Sequence, residues 1–233
     1  QQTSFHRVVD FSGNDILQRL DLSKNNTELT EFIYSDTDSF TAYISKLRAQ
    51  RKARYLVGGY NELRDMYKRS VLFNIVKYDL NENDMDAVHE EPRRLHLGID
   101  IWGDAGTRVY APLGGMIHSF AFNDHFGDYG ATIILQHQLD TVQFHTLYGH
   151  LSLADLAAIR EGQFITRGQC FAHFGKPAEN GNWPPHLHFQ VIADLEFKEG
   201  DYPGVCKESE KEKYLANCPD ADLILDIMRF TQP

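Results

Sequence analysis

Trp183-Pro184-Pro185-His186-Leu187-His188-Phe189-Gln190-Val191 is the stretch on which the reading of this chain turns. Each proline ring locks φ, and the residue before a proline is driven out of the helical region. The chain therefore arrives at His186 stiff and extended, and the residues from there to Val191 continue as a strand. Residues i and i+2 of a strand share a face. His186 and His188 thus project side by side into one cleft, while Leu187 and Phe189 face a core.

Working outward, the region from about Arg94 to Ile192 is a series of short apolar or alternating runs. Arg108–Ala111, Met116–Phe120, Thr132–Leu135 and Val142–Tyr148 are separated by Gly, Pro, Asn and Asp. Many short strands at close spacing imply an antiparallel sheet or a small barrel-like β domain. One short helix interrupts them, with Ser152 as N-cap, Leu153, Leu156 and Ile159 as its apolar face, and Gly162 closing it. The expected class is mainly β, α+β overall: a compact antiparallel β-sheet or barrel-like core with helical N- and C-terminal flanks.

Two further stretches bring chemistry to the same region. His96-Leu97-Gly98-Ile99-Asp100 carries an imidazole and a carboxylate, and Tyr148-Gly149-His150-Leu151 carries another imidazole. Fully extended, the four residues from His96 to Asp100 span about 13 Å, too far for both side chains to reach one ion. The spacing predicts a bend near Gly98, where glycine tolerates it. His150 ends the alternating run Phe144, Thr146, Tyr148 and is expected on that same face. Catalytic zinc takes three protein ligands from His nitrogen and carboxylate oxygen and keeps a position for water. Four imidazoles and a carboxylate supply that with histidines to spare. His118, His125 and His173 read as surface or loop residues, and His137 and His145 as strand residues. The helical zinc motif H-E-x-x-H is absent.

The flanks carry no constellation of their own. Residues 1–92 read as a mostly helical lead-in. It has a short amphipathic turn over Asp15–Leu20, a short helix capped by Thr27 through Phe32, and a helix from Asp38 to about Gln50 with Phe40, Tyr43, Ile44 and Leu47 on one face. A further short helix over Glu62–Ser70, a strand or buried connection over Val71–Tyr78 and a surface turn over Asn81–Asp86 complete it. Residues 93–193 form the β domain. Residues 194–233 read as an extension with helices over Lys207–Asn217 and Asp222–Phe230. A loop from Gly58-Gly59 is placed to cover the cleft.

The 33 acidic against 23 basic residues give a net charge of -10, which argues against a nucleic-acid or anionic-membrane surface. No apolar run approaches the ~20 residues that span a bilayer. Gln1–Asn14 shows neither the charged start nor the apolar stretch of an export signal. Cys170, Cys206 and Cys218 are too few and odd in number for a disulfide framework, so free thiols are expected. The compartment stays open between cytoplasm and periplasm.

Taken in order, His96-Leu97-Gly98-Ile99-Asp100, Val109-Tyr110-Ala111-Pro112 with Gly115, Leu147-Tyr148-Gly149-His150-Leu151, Gly162-Gln163 with Gly168-Gln169, and His186-Leu187-His188-Phe189 resemble the lysostaphin/LytM-type zinc metallopeptidases of bacteria. The resemblance covers roughly residues 93–193. It implies a compact antiparallel β fold, a Zn2+ cofactor and endopeptidase activity on peptidoglycan cross-bridges or stem peptides of the cell wall. It also implies that His96, Asp100 and His188 hold the metal, while His150 and His186 act beside it on the water and the developing oxyanion. Gln190 stands where the family commonly has Glu, and Glu179–Pro185 replaces a small Gly/Ser/Thr-rich loop. Trp183–His186, Tyr202–Val205 and Cys218–Asp220 resemble a subgroup fused to kinase-like and aminotransferase-like modules. Two other readings stay open: a zinc-binding regulatory module without peptidase activity, and a histidine phosphocarrier using His150 or His186.

Overall fold

The computed structural model describes residues 4–74, 76–78 and 87–232; the turn expected over Asn81–Asp86 lies outside them. Among the described residues the main sheet has nine strands. In chain order they are β1 (Ile16–Leu20), β2 (Ala53–Gly58), β3 (Ile99–Trp102), β4 (Gly115–Asn123), β5 (Gly130–Leu139), β6 (Val142–Leu151), β7 (Phe164–Ile165), β8 (His186–Ile192) and β9 (Thr231–Gln232). Their order across the sheet is β7-β4-β5-β6-β8-β3-β2-β1-β9.

The expected strand-rich α+β class is found, and two particulars of the sheet differ. The sheet is open, not barrel-like, and it is mixed, because β1 runs parallel to both β2 and β9 while the other pairs are antiparallel. The lead-in is not merely helical: β1 and β2 extend the sheet beyond β3. The periodicity over Asp15–Leu20 was ambiguous because so short an apolar run fits either a strand or a helix. The helix expected from Asp38 forms over Thr37–Arg51, and the Asp36 carboxylate caps it by accepting from the Ser39 amide at 2.7 Å. The helix expected from Thr27 starts later, at Glu31. Glu62–Ser70 becomes the strand Glu62–Leu63 and a 3-10 turn over Asp65–Arg69, followed by a second turn over Val71–Phe73. The tail adds a strand, Val205–Lys207, before the helices Lys211–Asn217 and Asp222–Leu225.

Burial follows the strand period. Leu187 and Phe189 of β8 pack with Ile99, Ile101, Ile133 and Tyr148 on one face of the sheet. The other face of β8 carries His186, His188 and Gln190, all buried. That face is covered by a three-stranded sheet, Glu62–Leu63, Arg93–His96 and Val205–Lys207, drawn from both flanks. The cleft therefore lies between the main sheet and a roof that the flanking segments build.

Candidate metal centre

His96 ends the strand Arg93–His96 in the roof, whereas Asp100 belongs to β3 in the main sheet. Leu97-Gly98 carries the chain from one sheet to the other. This is the bend that the spacing demanded, and it brings His96 Nε2 to 3.2 Å from Asp100 Oδ1. A Cβ on Gly98 would lie 2.6 Å from Cε1 of the His188 ring, so glycine alone leaves room there. Register supplies the rest. Gly58, Asp100, His188 and Gly149 lie opposite one another across four adjacent strands. His188 Nδ1 comes within 3.1 Å of Asp100 Oδ1 and 2.9 Å of His96 Nε2.

The outer ring nitrogens decide what these three atoms are. His96 Nδ1 lies 2.9 Å from the Gly59 carbonyl, which only accepts, so Nδ1 carries the proton and Nε2 a lone pair. His188 Nε2 lies 2.9 Å from Gln190 Oε1. The Gln190 amide nitrogen donates to Pro203 O and Cys218 Sγ, which turns its oxygen to the ring and leaves a lone pair on His188 Nδ1. Two lone pairs and a carboxylate oxygen, 2.9–3.2 Å apart, repel one another unless a cation lies among them. Donors on a tetrahedral zinc at ~2.0–2.2 Å stand about 3.3 Å apart. The set therefore fits zinc in chemistry and in size. Among the described residues, His96, Asp100 and His188 are the one group of three that could hold a metal ion.

Electrostatics agree with that assignment. Burial, and then the Arg64 charge, push the His96 imidazole down to about 4. Burial works against the Asp100 charge, but His96 and Arg64 hold the carboxyl well below its usual range. At neutral pH the centre thus offers uncharged imidazole and ionised carboxylate, the forms a metal takes.

His150 reaches the centre by a route the alternation did not foresee. On a regular strand it would share the Tyr148 face, which is core. Between Ile133↔Tyr148 and Ala131↔Leu151, β6 uses one residue more than β5. That bulge re-aims His150 to the opposite face. Its φ of +62° is in the left-handed region, a strained setting for a non-glycine residue. Its ring then lies 4.1 Å, centroid to centroid, from that of His186. His150 Nδ1 donates to Asn180 O at 2.9 Å and His186 Nδ1 to Pro184 O at 2.8 Å, leaving Nε2 of each with a lone pair. Trp102 of β3 stacks on His186 at 3.9 Å and 10°. Burial lowers both imidazoles, His186 to about 4 and His150 well below its ordinary value. The loop Glu179–Pro185 supplies both carbonyls, which is its local role. A phosphocarrier needs an exposed histidine, and these two are buried.

Arg64 carried no signal in the sequence. It is fully buried, and its guanidinium donates to Asp100 Oδ2 at 2.5 Å and to Glu62 Oε2 at 2.5 Å. The pairing of Glu62–Leu63 with Arg93–His96 brings it there, which no local spacing reveals. Of the remaining histidines, His125 is exposed and His118 and His173 half-buried, whereas His137 and His145 are buried in strands. The three cysteines are free thiols.

Residues 94–199 match the model of peptidase family M23. Residues 94–199 form an M23-family domain within this chain. No match was found among curated proteins. Similar solved structures include a zinc-containing peptidase from Vibrio cholerae, with 23% identity, TM-score 0.34, and coverage of 52% of this chain and 34% of that one. The catalytic domain of the antimicrobial peptidase lysostaphin from Staphylococcus simulans has 21% identity and TM-score 0.35, with 60% and 90% covered. The prophage-encoded M23 protein EnpA from Enterococcus faecalis has 15% identity and TM-score 0.35, with 56% and 92% covered. The family assignment of the M23 domain rests on the sequence match.

Proposed function

We propose that this M23 domain is a zinc-dependent metallopeptidase that hydrolyses peptide amide bonds, with His96, Asp100 and His188 as the metal ligands. One observation carries the reading: the lone pairs of His96 Nε2 and His188 Nδ1 converge with Asp100 Oδ1, each ring fixed from behind by a hydrogen-bond acceptor. Bound there, zinc would supply a Lewis acid for the scissile carbonyl and acidify a water. The chain's own groups supply the proton handling. Nε2 of His150 and of His186, with Nδ1 committed to a carbonyl, can each take a proton or hold one against a developing oxyanion. Trp102 keeps the His186 ring in its plane by stacking. The family resemblance points to peptides of peptidoglycan cross-bridges or stems as the source of the bond.

The test is zinc content and peptide hydrolysis by the purified chain, beside a His150→Ala variant. Hydrolysis by the parent and retained zinc without hydrolysis in the variant are expected. A protein that binds no zinc would end this proposal, and zinc without turnover of any peptide would favour a binding module.

A further inference from the structure

The prospective ligands and both adjacent histidines are between 1% and 6% exposed. They line a cavity of about 230 Å³. That is below the roughly 300–1,000 Å³ of sites for drug-sized ligands. The walls explain the size. Tyr67 and Phe73 close it from the N-terminal side, Tyr202 and Val205 from the C-terminal side, and Trp183 from the loop before β8.

The N-terminal wall is fastened, not draped. Thr37 Oγ1 donates to Asn182 O at 3.0 Å, and Arg69 donates to Thr37 Oγ1 at 2.8 Å. The Arg69 guanidinium sits 4.7 Å from the ring centroids of both Phe126 and Trp183. Ser70 Oγ donates to Phe126 O at 2.5 Å. The two 3-10 turns are thereby tied to the β4–β5 connection and to the loop Pro177–Pro185. An extended chain needs ~3.3–3.6 Å per residue and an exit at both ends; these ties hold the N-terminal wall of the cavity against the neighbouring loops. The lining also carries charge of both signs, Arg93 with Asp128 and Asp201, which suits a ligand that brings its own charged ends.

Resting on the peptidase reading, we propose that the site takes short peptides of about two or three residues with free, charged termini, so that peptidoglycan stems or bridges enter only as released fragments and cross-linked or long polypeptide is excluded. The test compares four probes on the zinc-loaded full chain: a free di- or tripeptide, the same peptide blocked at both ends, a peptide of about ten residues containing the same bond, and cross-linked peptidoglycan. Expected is a kcat/KM for the free short peptide about 100-fold or more above that for the long one, and about tenfold or more above that for the blocked one. Comparable rates on the long peptide or on peptidoglycan would overturn the size limit, and equal rates on free and blocked peptides would overturn the charged-end requirement.

A binding arm separates this from failure of the peptidase reading. Glycine hydroxamate and the same hydroxamate at the end of a peptide of about ten residues are titrated against the zinc protein by thermal shift. Tighter binding of the small hydroxamate supports the size limit even if no peptide is hydrolysed. Equal binding of the two, or binding of neither, overturns it.

Discussion

Asp100 is held from two sides: Oδ1 faces His96 and His188, and Oδ2 accepts from the fully buried guanidinium of Arg64 at 2.5 Å. Arg64 comes from the segment preceding the M23 match and is itself pinned by Glu62. It fixes the carboxylate so that one oxygen is presented to the centre. Replacing Arg64 by Met removes that hold and leaves the buried Asp100 and half-buried Glu62 carboxylates without their cation. The expected cost is about 3–5 kcal/mol in stability and about 10–100-fold in zinc affinity. Chelator competition and thermal melts measure both; an unchanged zinc affinity would mean that Arg64 is merely structural.

Zinc removal should be visible without any substrate. A ligand present at ~1,000 times its Kd stabilises by about 4 kcal/mol, and in a domain of this size that corresponds to about 10 °C in Tm. Chelation should lower the melting temperature by that order, and added zinc should restore it. In His96→Ala and His188→Ala the melting temperature should no longer respond to zinc; a full response in either variant would remove that residue from the ligand set.

His150 and His186 are expected to separate binding from turnover. Alanine at either position should retain zinc near one equivalent and lose about 10²–10⁴-fold in kcat. Trp102→Leu should act through His186, lowering kcat while zinc content stays. Loss of zinc in His150→Ala would move that residue into the ligand set.

Gly98→Ala is a steric test of the same geometry. The added methyl meets the His188 ring at 2.6 Å and the Phe189 carbonyl at 2.7 Å, and backbone cannot yield cheaply. His188 should be displaced and zinc lost, while the far end of β8 stays paired to β6, as amide exchange at Val191 and Ile192 would show. Normal zinc content in this variant would contradict the packing.

The pH dependence of stability has a source away from the centre. Burial pushes the His145 imidazole down to about 4, and burial also lowers His137. Their folded values lie below the unfolded value near 6.5, so the unfolded chain binds more protons in between. Stability from these groups is complete above about pH 6.5 and falls as pH drops towards 4. His145→Gln should flatten that decline, seen as a smaller difference between melts at pH 7 and pH 5. An equal decline in the variant would assign it to other groups.

Much of the centre was legible in local sequence. The i, i+2 rule placed His186 and His188 on one face because β8 is regular along its length. The distance argument required a bend at Gly98 because no straight strand lets His96 meet Asp100. His150 defeated the same alternation, since one extra residue in β6 reverses the side on which a chain points and leaves no mark in composition. The roof was only partly foreseen: Gly59 does lie against His96, but Arg64, Tyr67 and Phe73 reach the centre through long-range contacts of a strand and two 3-10 turns. A parallel β1–β2 pair and an open sheet are likewise properties of long-range pairing, and short runs such as Ile16–Leu20 do not encode their partners.

The parallel pairing of β1 with β9 sets an order on how this protein comes into being. Gln18 Nε2 donates to Gln232 O across 214 residues of chain. Closing so long a loop is entropically costly and is repaid only when the pairing forms. During synthesis His96 and Asp100 emerge well before His188, and β2 and β3 wait for β8 to complete the row that joins Gly58 to Gly149. A nascent chain therefore presents two of the three donors on an unfinished sheet with an unpaired edge. A zinc ion held as proposed would find all three donors together only after β8 has paired with β3.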